Sequence, residues 1–382
     1  MSRLALSVLQ SSYFEAESPA GGLHRAFSQS NVNGSVVRAY DWDQCACRVY
    51  DANYGAGLAQ KADISLLSAD ELASLKTDLW LLSPSCQPYT VLNPLAKGAA
   101  DPRAKSFIHL IEDVLPELAV LDAHPRYMLI ENVAGFETSS TRQRLLAMLD
   151  SLGYAVVELL LTPLQFGIPN SRLRYYLLAK LKPLRFADVE NADRQIWRHI
   201  PGRGSDWVDP REQANAGKQG ESCKTEVNDI RQYMDIDTPL GRTHPQAVPD
   251  KVLEKWGRLF DIILPSSRRS CCFTRGYTKM AERSGSVLQV NEELDTTIIF
   301  DRFLTAQSRG ETSAVRMLDQ LELRYFSPSE LLRIFGFEPT GRRSITFHWP
   351  DDISVKTQYR LIGNSVNVRV VTELINYLLT DE

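Results

Sequence analysis

No stretch of this sequence approaches the roughly 20 consecutive apolar residues that a membrane-crossing helix needs. The opening "MSRLALSVLQSSYF" carries no signal-peptide pattern. An intracellular protein is expected, cytoplasmic or nuclear, since no basic localisation run decides between the two. Cysteine is sparse. Cys45, Cys47, Cys86, Cys223, Cys271 and Cys272 are scattered through 382 residues without a CxxC pair, and the histidines are equally dispersed. That argues against a zinc site and against a disulfide framework, so no metal is expected and most thiols should be inert packing residues. Strong positive charge is missing too. A net charge of −4 excludes a protein that coats nucleic acid indiscriminately, because such binding rests on phosphate neutralisation.

What is present fits a soluble globular chain with one large core and a smaller second domain. The first half alternates short β-rich runs with helical patterns. Residues 35–41, 78–84, 126–133, 154–163 and 174–181 read as strands, several of them apolar throughout, as in a sheet covered on both faces. Between them, "SSTRQRLLAMLDSLGY" offers a Ser or Thr cap, Leu145, Met148, Leu149 and Leu152 at helical spacing, and Gly153 as a stop. This alternation predicts an α/β fold with a doubly wound, mostly parallel sheet. Ligands on such sheets sit outside the carboxyl ends of the strands, where "SPSCQP" and "ENVAGF" both fall.

The rhythm breaks near Leu184. Residues 1–184 are expected to form the first part of a catalytic domain, 185–290 a small recognition domain with a flexible insertion near 203–225, and 291–382 the catalytic domain's return. "SPSELLRIFGF", with Ser327 as cap, and "LIGNSVNVRVVTELINYLL" supply the closing helices.

Four ordered fragments, "SPSCQP", "ENV", "QFGIPNSRLR" and "GNSVNV", resemble the motifs of the cytosine-5 methyltransferases. A fifth, "CFTRGYTKMAERSGSVL" at 272–288, resembles the Cys-Phe-Thr signature of the type-2 branch, the DNA-methyltransferase-like enzymes that act on tRNA. The resemblance runs from about Gly21 to the end and implies a Rossmann-like methyltransferase fold. The chemistry fits independently. Cytosine C5 is a poor nucleophile, but a thiolate adding to ring C6 pushes electron density onto C5. Cys86 is the candidate nucleophile, in surroundings that must favour its ionised form. Glu131, emerging from an apolar strand, is the candidate acid that shares a proton with ring N3, and burial suits that role. Arg172 and Arg174 alternate, which on a strand would point both to one face. The resemblance places this pair beside the cysteine, against the base carbonyl or a phosphate.

The resemblance also implies S-adenosylmethionine as methyl donor. It carries the donor's contacts to Ala20, Gly21 and Gly22, Asp41 and Trp42, Asp63, Ile64 and Ser65, Ser83, and Asn364, Ser365 and Val366. Glycines permit close backbone approach, and an acid ending a strand can bind ribose hydroxyls. The sequence departs from the family at the first motif, where "ESPAGG" has Pro19 in place of a glycine and Glu17 in place of an aromatic. Either the turn differs or the true first strand is "LALSVLQ" with an insertion after it. Ser85 replaces the usual proline before the cysteine, which loosens the loop and implies a slower enzyme.

A thiol cannot reach a base inside a duplex, so the target must be single-stranded or flipped out. The resemblance implies a cytosine at position 38 in a tRNA anticodon loop, that of aspartate tRNA, and a protein acting as a monomer. Gln87, Arg268, Arg269, Cys272, Phe273, Thr274, Arg275, Tyr277 and Lys279 are the expected substrate contacts, with Tyr277 stacking near the basic residues. DNA as substrate, or a tRNA-binding protein without turnover, are the competing readings.

Overall fold

The computed structural model describes residues 6–12, 21–89, 98–189, 195–207, 226–236, 241–341 and 345–380. Ala20 and residues 208–225 of the expected insertion lie outside them. The central sheet holds eight strands: β1 (Leu6–Ser12), β2 (Gly34–Asp41), β3 (Ala59–Lys61), β4 (Leu79–Ser83), β5 (Tyr127–Val133), β6 (Tyr154–Leu161), β7 (Arg174–Leu181) and β8 (Ile196–Trp197). Their order is β3-β2-β1-β4-β5-β7-β6-β8. All pair in parallel except β7, which is antiparallel to both β5 and β6. The five apolar runs read from the sequence fall on β2, β4, β5, β6 and β7. The first strand is the "LALSVLQ" alternative, with residues 13–20 outside the described part.

The uninterrupted apolar runs have a simple cause. Along β4, Leu79 and Leu81 enter one core while Trp80 and Leu82 enter another. Along β5, Tyr127 and Leu129 are divided in the same way from Met128 and Ile130. Side chains alternate across a strand, so a sheet covered on both faces needs apolar residues at both parities.

Helices α1 (Gly22–Gln29), α2 (Gln44–Tyr54), α3 (Ala69–Ser74), α4 (Lys105–His109), α5 (Leu115–Val120) and α6 (Ser140–Ser151) flank the sheet; a π-helical turn at Leu110–Val114 joins α4 to α5. In α6, the Ser139 hydroxyl accepts from the Arg142 N–H at 3.1 Å, and Gly153 closes the helix at φ 79°. Its buried stripe is Leu145, Leu146 and Leu149, with Met148 and Leu152 only half-buried.

A small lobe carries a three-stranded sheet of β9 (Ile262–Ile263), β10 (Val287–Gln289) and β11 (Leu323–Arg324), in the order β11-β10-β9. With α7 (Asp250–Trp256) and α8 (Thr296–Ser308) it encloses a separate core of Val248, Leu253, Val287, Phe300, Phe303, Leu318 and Leu321. The division expected at residue 290 therefore runs through one core: β10 and α8 bury apolar surface together, and the lobe extends to β11. The chain then returns to the large sheet through α9 (Pro328–Ile334), α10 (Val355–Gly363) and α11 (Val368–Leu378). Val370, Val371 and Leu374 of α11 share a core with Leu23, Ala26 and Phe27 of α1.

The return is fixed by a buried ion pair. Arg324 donates two bonds of 2.7 Å to Glu330, and both side chains are almost wholly excluded from solvent. Glu330 also accepts from the Ser327 N–H, while the Ser327 hydroxyl accepts from the Glu330 N–H, a reciprocal cap for α9. Removing one partner of such a pair leaves an uncompensated buried charge. Glu330→Gln is expected to lower unfolding free energy by about 3–5 kcal/mol, read from urea denaturation. The double change Arg324→Met, Glu330→Leu should recover a large part of that loss.

Candidate active site

Parallel pairing of Leu82 with Ile130 brings the ends of β4 and β5 out side by side. The Ser83 hydroxyl donates to Glu131 Oε2 at 2.8 Å, and Asn132 Nδ2 donates to the Pro84 carbonyl at 3.1 Å. The loop that carries Cys86 is thus stitched to the strand end that carries Glu131. Glu131 is buried and Ser85 is buried, while Cys86 remains half-buried at the lip of the sheet. Beyond it, the Tyr89 N–H donates to the Cys86 carbonyl at 2.9 Å, and the Tyr89 hydroxyl donates to Thr141 Oγ1 at 3.1 Å. Gln87 Oε1 accepts from Arg103 Nη1.

The two arginines occupy different settings. β7 begins only at Arg174, so Arg172 precedes the strand rather than alternating along it. Arg172 is buried, and its Nη groups donate to the Cys272 sulfur (3.3 Å) and to the carbonyls of Phe273 (3.0 Å), Gly363 (3.2 Å) and Ser365 (2.8 Å). Its charge serves to bracket two distant chain segments, where the sequence reading had it touching substrate. Arg174 lies across from Glu131, with Nε 3.4 Å from Oε1, and its Nη2 reaches the Cys272 sulfur at 3.8 Å. Both guanidinium groups therefore converge on Cys272, a thiol given no step in the sequence analysis. Burial works to raise that thiol, but Arg172 and Arg174 outweigh it and hold Cys272 below its ordinary value. Cys47 shows the opposite case: burial, then Asp41, pushes it up to about 12, as suits an inert packing residue.

The residues carried over for the methyl donor gather along the neighbouring strand ends. Gly21 caps α1 in the left-handed region at φ 71°. A Cβ on Gly22 would stand 2.6 Å from Ser365 Oγ, and that buried hydroxyl has no hydrogen-bond partner among the described residues. Bare backbone and an unsatisfied hydroxyl thus meet at the helix start. Asp41 ends β2, accepts from the Asp43 N–H at 2.7 Å, and is raised by burial to about 8. Trp42 beside it is 38% exposed, with the Lys61 ammonium 5.7 Å from its ring. Asp63 caps the short turn Ile64–Leu66 by accepting from the Ser65 N–H and hydroxyl at 2.9 and 2.7 Å. Asn364 follows α10, and Ser365 and Val366 are buried.

The segment 268–279 departs most from expectation. Phe273 and Tyr277 are buried, packed edge-to-face at 5.1 Å. The Tyr277 hydroxyl donates to the Ser286 carbonyl and accepts from the Phe326 N–H, at 2.8 and 2.9 Å. Neither ring is available to stack on a nucleobase; both are the hub of the loop. Arg268 is paired with Asp229 at 2.9 Å and Glu226 at 3.1 Å, so the basic run is neutralised at its start. Arg269 donates to Ser171 Oγ at 2.7 Å. Arg275 and Lys279 are exposed, and Thr274 is half-buried.

The sequence reading quoted Gly363 within "GNSVNV" but gave it no role of its own. A Cβ there would stand 2.4 Å from the Thr274 carbonyl oxygen and 2.6 Å from the Arg275 nitrogen. Backbone meets backbone at this point, and any side chain would force the two motifs apart. Its place just before "NS" was the available signal.

A family profile described as C-5 cytosine-specific DNA methylase matches residues 14–380. The tRNA (cytosine(38)-C(5))-methyltransferase of Schizosaccharomyces pombe is 36% identical over 375 residues, covering 98% of each chain. The Bos taurus protein of that name is 35% identical over 402 residues, covering 95% of this chain and 98% of the relative. The crystal structure of the S. pombe Dnmt2 methyltransferase superposes with a TM-score of 0.73 at 33% identity, covering 98% of both chains. A nucleophile loop stitched to a buried glutamate, in a fold and sequence matched along nearly their whole length, places this chain in the C-5 cytosine-specific methylase family.

Proposed function

We propose that this protein transfers a methyl group from S-adenosylmethionine to C5 of a cytosine in a tRNA anticodon loop, at position 38 as in its named relatives. Aspartate tRNA is the proposed acceptor. The observation that carries the reading is the stitch between the Cys86 loop and Glu131 through Ser83 and Asn132. In this arrangement the Cys86 sulfur bonds to ring C6 and moves electron density towards C5. Glu131 shares a proton with ring N3 as charge builds there, and Arg174 balances the carboxylate. Once C5 carries the methyl group, loss of the C5 proton to water or a base returns its electron pair to the C5–C6 bond and expels the Cys86 thiolate. An anticodon loop supports the reading because its bases are already unstacked.

The donor residues fit their ligand. Gly22 and the unsatisfied Ser365 hydroxyl meet at a helix start, and Asp41 ends β2, a position from which an acid can bind ribose hydroxyls; both support the reading. When bound, S-adenosylmethionine supplies an electrophilic methyl group.

Cys86→Ala is expected to reduce methylation by at least about a thousandfold, measured by bisulfite sequencing of tRNA treated with protein and donor. Its tRNA affinity should be unchanged. Equal methylation by the variant would refute the covalent mechanism, and activity on duplex DNA alone would refute the choice of tRNA.

Asp41 gives a second, pH-dependent outcome. Its folded-state carboxyl lies near 8, above the ordinary 3.8, so folding favours its protonated form. The stability this contributes is complete below the ordinary value and is lost as pH rises towards 8. Asp41→Asn should therefore melt above the wild type at pH 8, by roughly 1–3 kcal/mol, with the difference vanishing near pH 4. Titration calorimetry should show donor affinity weakened about tenfold.

A further inference from the structure

The nucleophile loop is held on its upstream side by Asn132, which grips the Pro84 carbonyl. Its downstream side has a holder of its own. Asp101 is buried and gives both carboxylate oxygens to one residue, Arg103. Oδ1 accepts from the Arg103 N–H at 3.0 Å and from Nε at 2.8 Å, while Oδ2 accepts from Nη2 at 2.7 Å. The remaining terminal nitrogen, Nη1, donates to Gln87 Oε1, on the residue next to Cys86. A planar guanidinium anchored on one edge has little rotational freedom left, so its Nη1 presents a donor in a fixed position.

From this geometry we propose that Arg103, locked by Asp101, is a positioning residue for the nucleophile. It fixes the Gln87 side chain and so sets where the Cys86 sulfur stands relative to Glu131. The inference rests on the methyltransferase reading above and adds to it a device within this chain.

Three further observations point the same way. Position 85 is a serine, so the backbone before the cysteine is not stiffened by a proline ring. The restraint this sequence omits covalently must come from noncovalent contacts, and Asn132 and Arg103 supply it on either side. The turn Pro102–Ala104 that presents Arg103 is itself capped by Asp101, so holder and anchor form one rigid unit. Finally, Asp101 neutralises Arg103 at close range. The proposed action of the pair is therefore geometric, through Gln87. A misplacement of about 1 Å at a reacting atom can cost on the order of a hundredfold in rate.

The test uses the full-length protein with tRNA and S-adenosylmethionine in single-turnover assays. Arg103→Met is expected to slow methyl transfer about 10- to 100-fold, with tRNA affinity changed less than about threefold. The pH midpoint for alkylation of Cys86 by iodoacetamide, followed on its peptide by mass spectrometry, should stay in place. Amide hydrogen exchange at residues 84–89 should quicken. Gln87→Leu should reproduce the rate loss, and the double variant should be no slower than either single one, since both cut the same link.

Several results would overturn the proposal. An unchanged rate removes the role. A fall in tRNA affinity matching the fall in rate makes Arg103 a phosphate contact. An upward shift of the Cys86 alkylation midpoint makes it an electrostatic group. Should Arg103→Met unfold the protein, Gln87→Leu with Arg103 intact carries the same comparison. Failure of the parent reading is distinguishable. A wild-type protein that methylates no tRNA refutes the proposed function, while exchange at residues 84–89 still reports whether Arg103 holds the loop.

Discussion

Arg172 joins parts of the chain that lie far apart in sequence. Its guanidinium donates to groups on Cys272 and Phe273, and to Gly363 and Ser365, partners 101 and 191 residues away for Phe273 and Gly363. Burying a lone cation is expensive, and these acceptors are what make it tolerable. The expense has a use. A buried guanidinium that must satisfy several acceptors admits few arrangements of the segments supplying them. The Gly363 backbone pressed on the Thr274–Arg275 peptide is the steric counterpart of the same constraint. Together they hold the Cys-Phe-Thr loop and the "GNS" turn against the edge of the large sheet, where Cys272, Arg174 and Glu131 come within reach of one another.

The result is a site with two thiols in contrasting environments. Cys86 sits on a loop at the strand edge, held through backbone and side-chain hydrogen bonds on both flanks. Cys272 lies between two arginines that lower its pKa. Both arginines expected beside the nucleophile reach the second cysteine, with Arg174 shared between Cys272 and Glu131. Positive charge here organises the acid and the second thiol, and hydrogen bonds on both flanks place the nucleophile's loop.

Sequence periodicity made the scaffold legible because burial on two faces leaves apolar residues at every position of a strand, and few other structures do so. The Ser327 cap, and a hydroxyl cap for α6 that the structure assigns to Ser139, were legible for an equally local reason: a hydroxyl satisfies an orphan N–H within one turn. The loop at 268–279 was not. Arginines, a lysine and two aromatics in one short run look like an RNA-binding surface, yet Phe273 and Tyr277 point inward. Composition does not separate an aromatic that stacks on a base from one that anchors a loop; the distinction lies in the Ser286 carbonyl and the Phe326 N–H, backbone groups with no residue signature. The setting of Arg172 was hidden for the same reason, since three of its acceptors are backbone carbonyls and carry no residue signature. The small lobe's limits were hidden because α8 is assigned by what it packs against, and composition does not change at residue 290.

The direction of β7 explains why the acid and the arginine meet at all. The strands before it run parallel, so their carboxyl ends, and the loops that follow, lie along one edge of the sheet. A parallel β7 would have put its first residue, Arg174, at the opposite edge, a full strand length from Glu131. Running antiparallel, β7 starts where β5 ends: Val133 pairs with Arg174 and Glu131 with Tyr176. The segment leading into β7 then lies beside the same edge, which is how Arg172 reaches the small lobe's Cys272 and the turn before α11 together. One reversed strand thus gathers residues from the start, middle and end of the chain at a single rim. The motifs around Cys86, Glu131 and Arg174 are each tied to one strand end, and the strand order of the sheet sets which of them become neighbours.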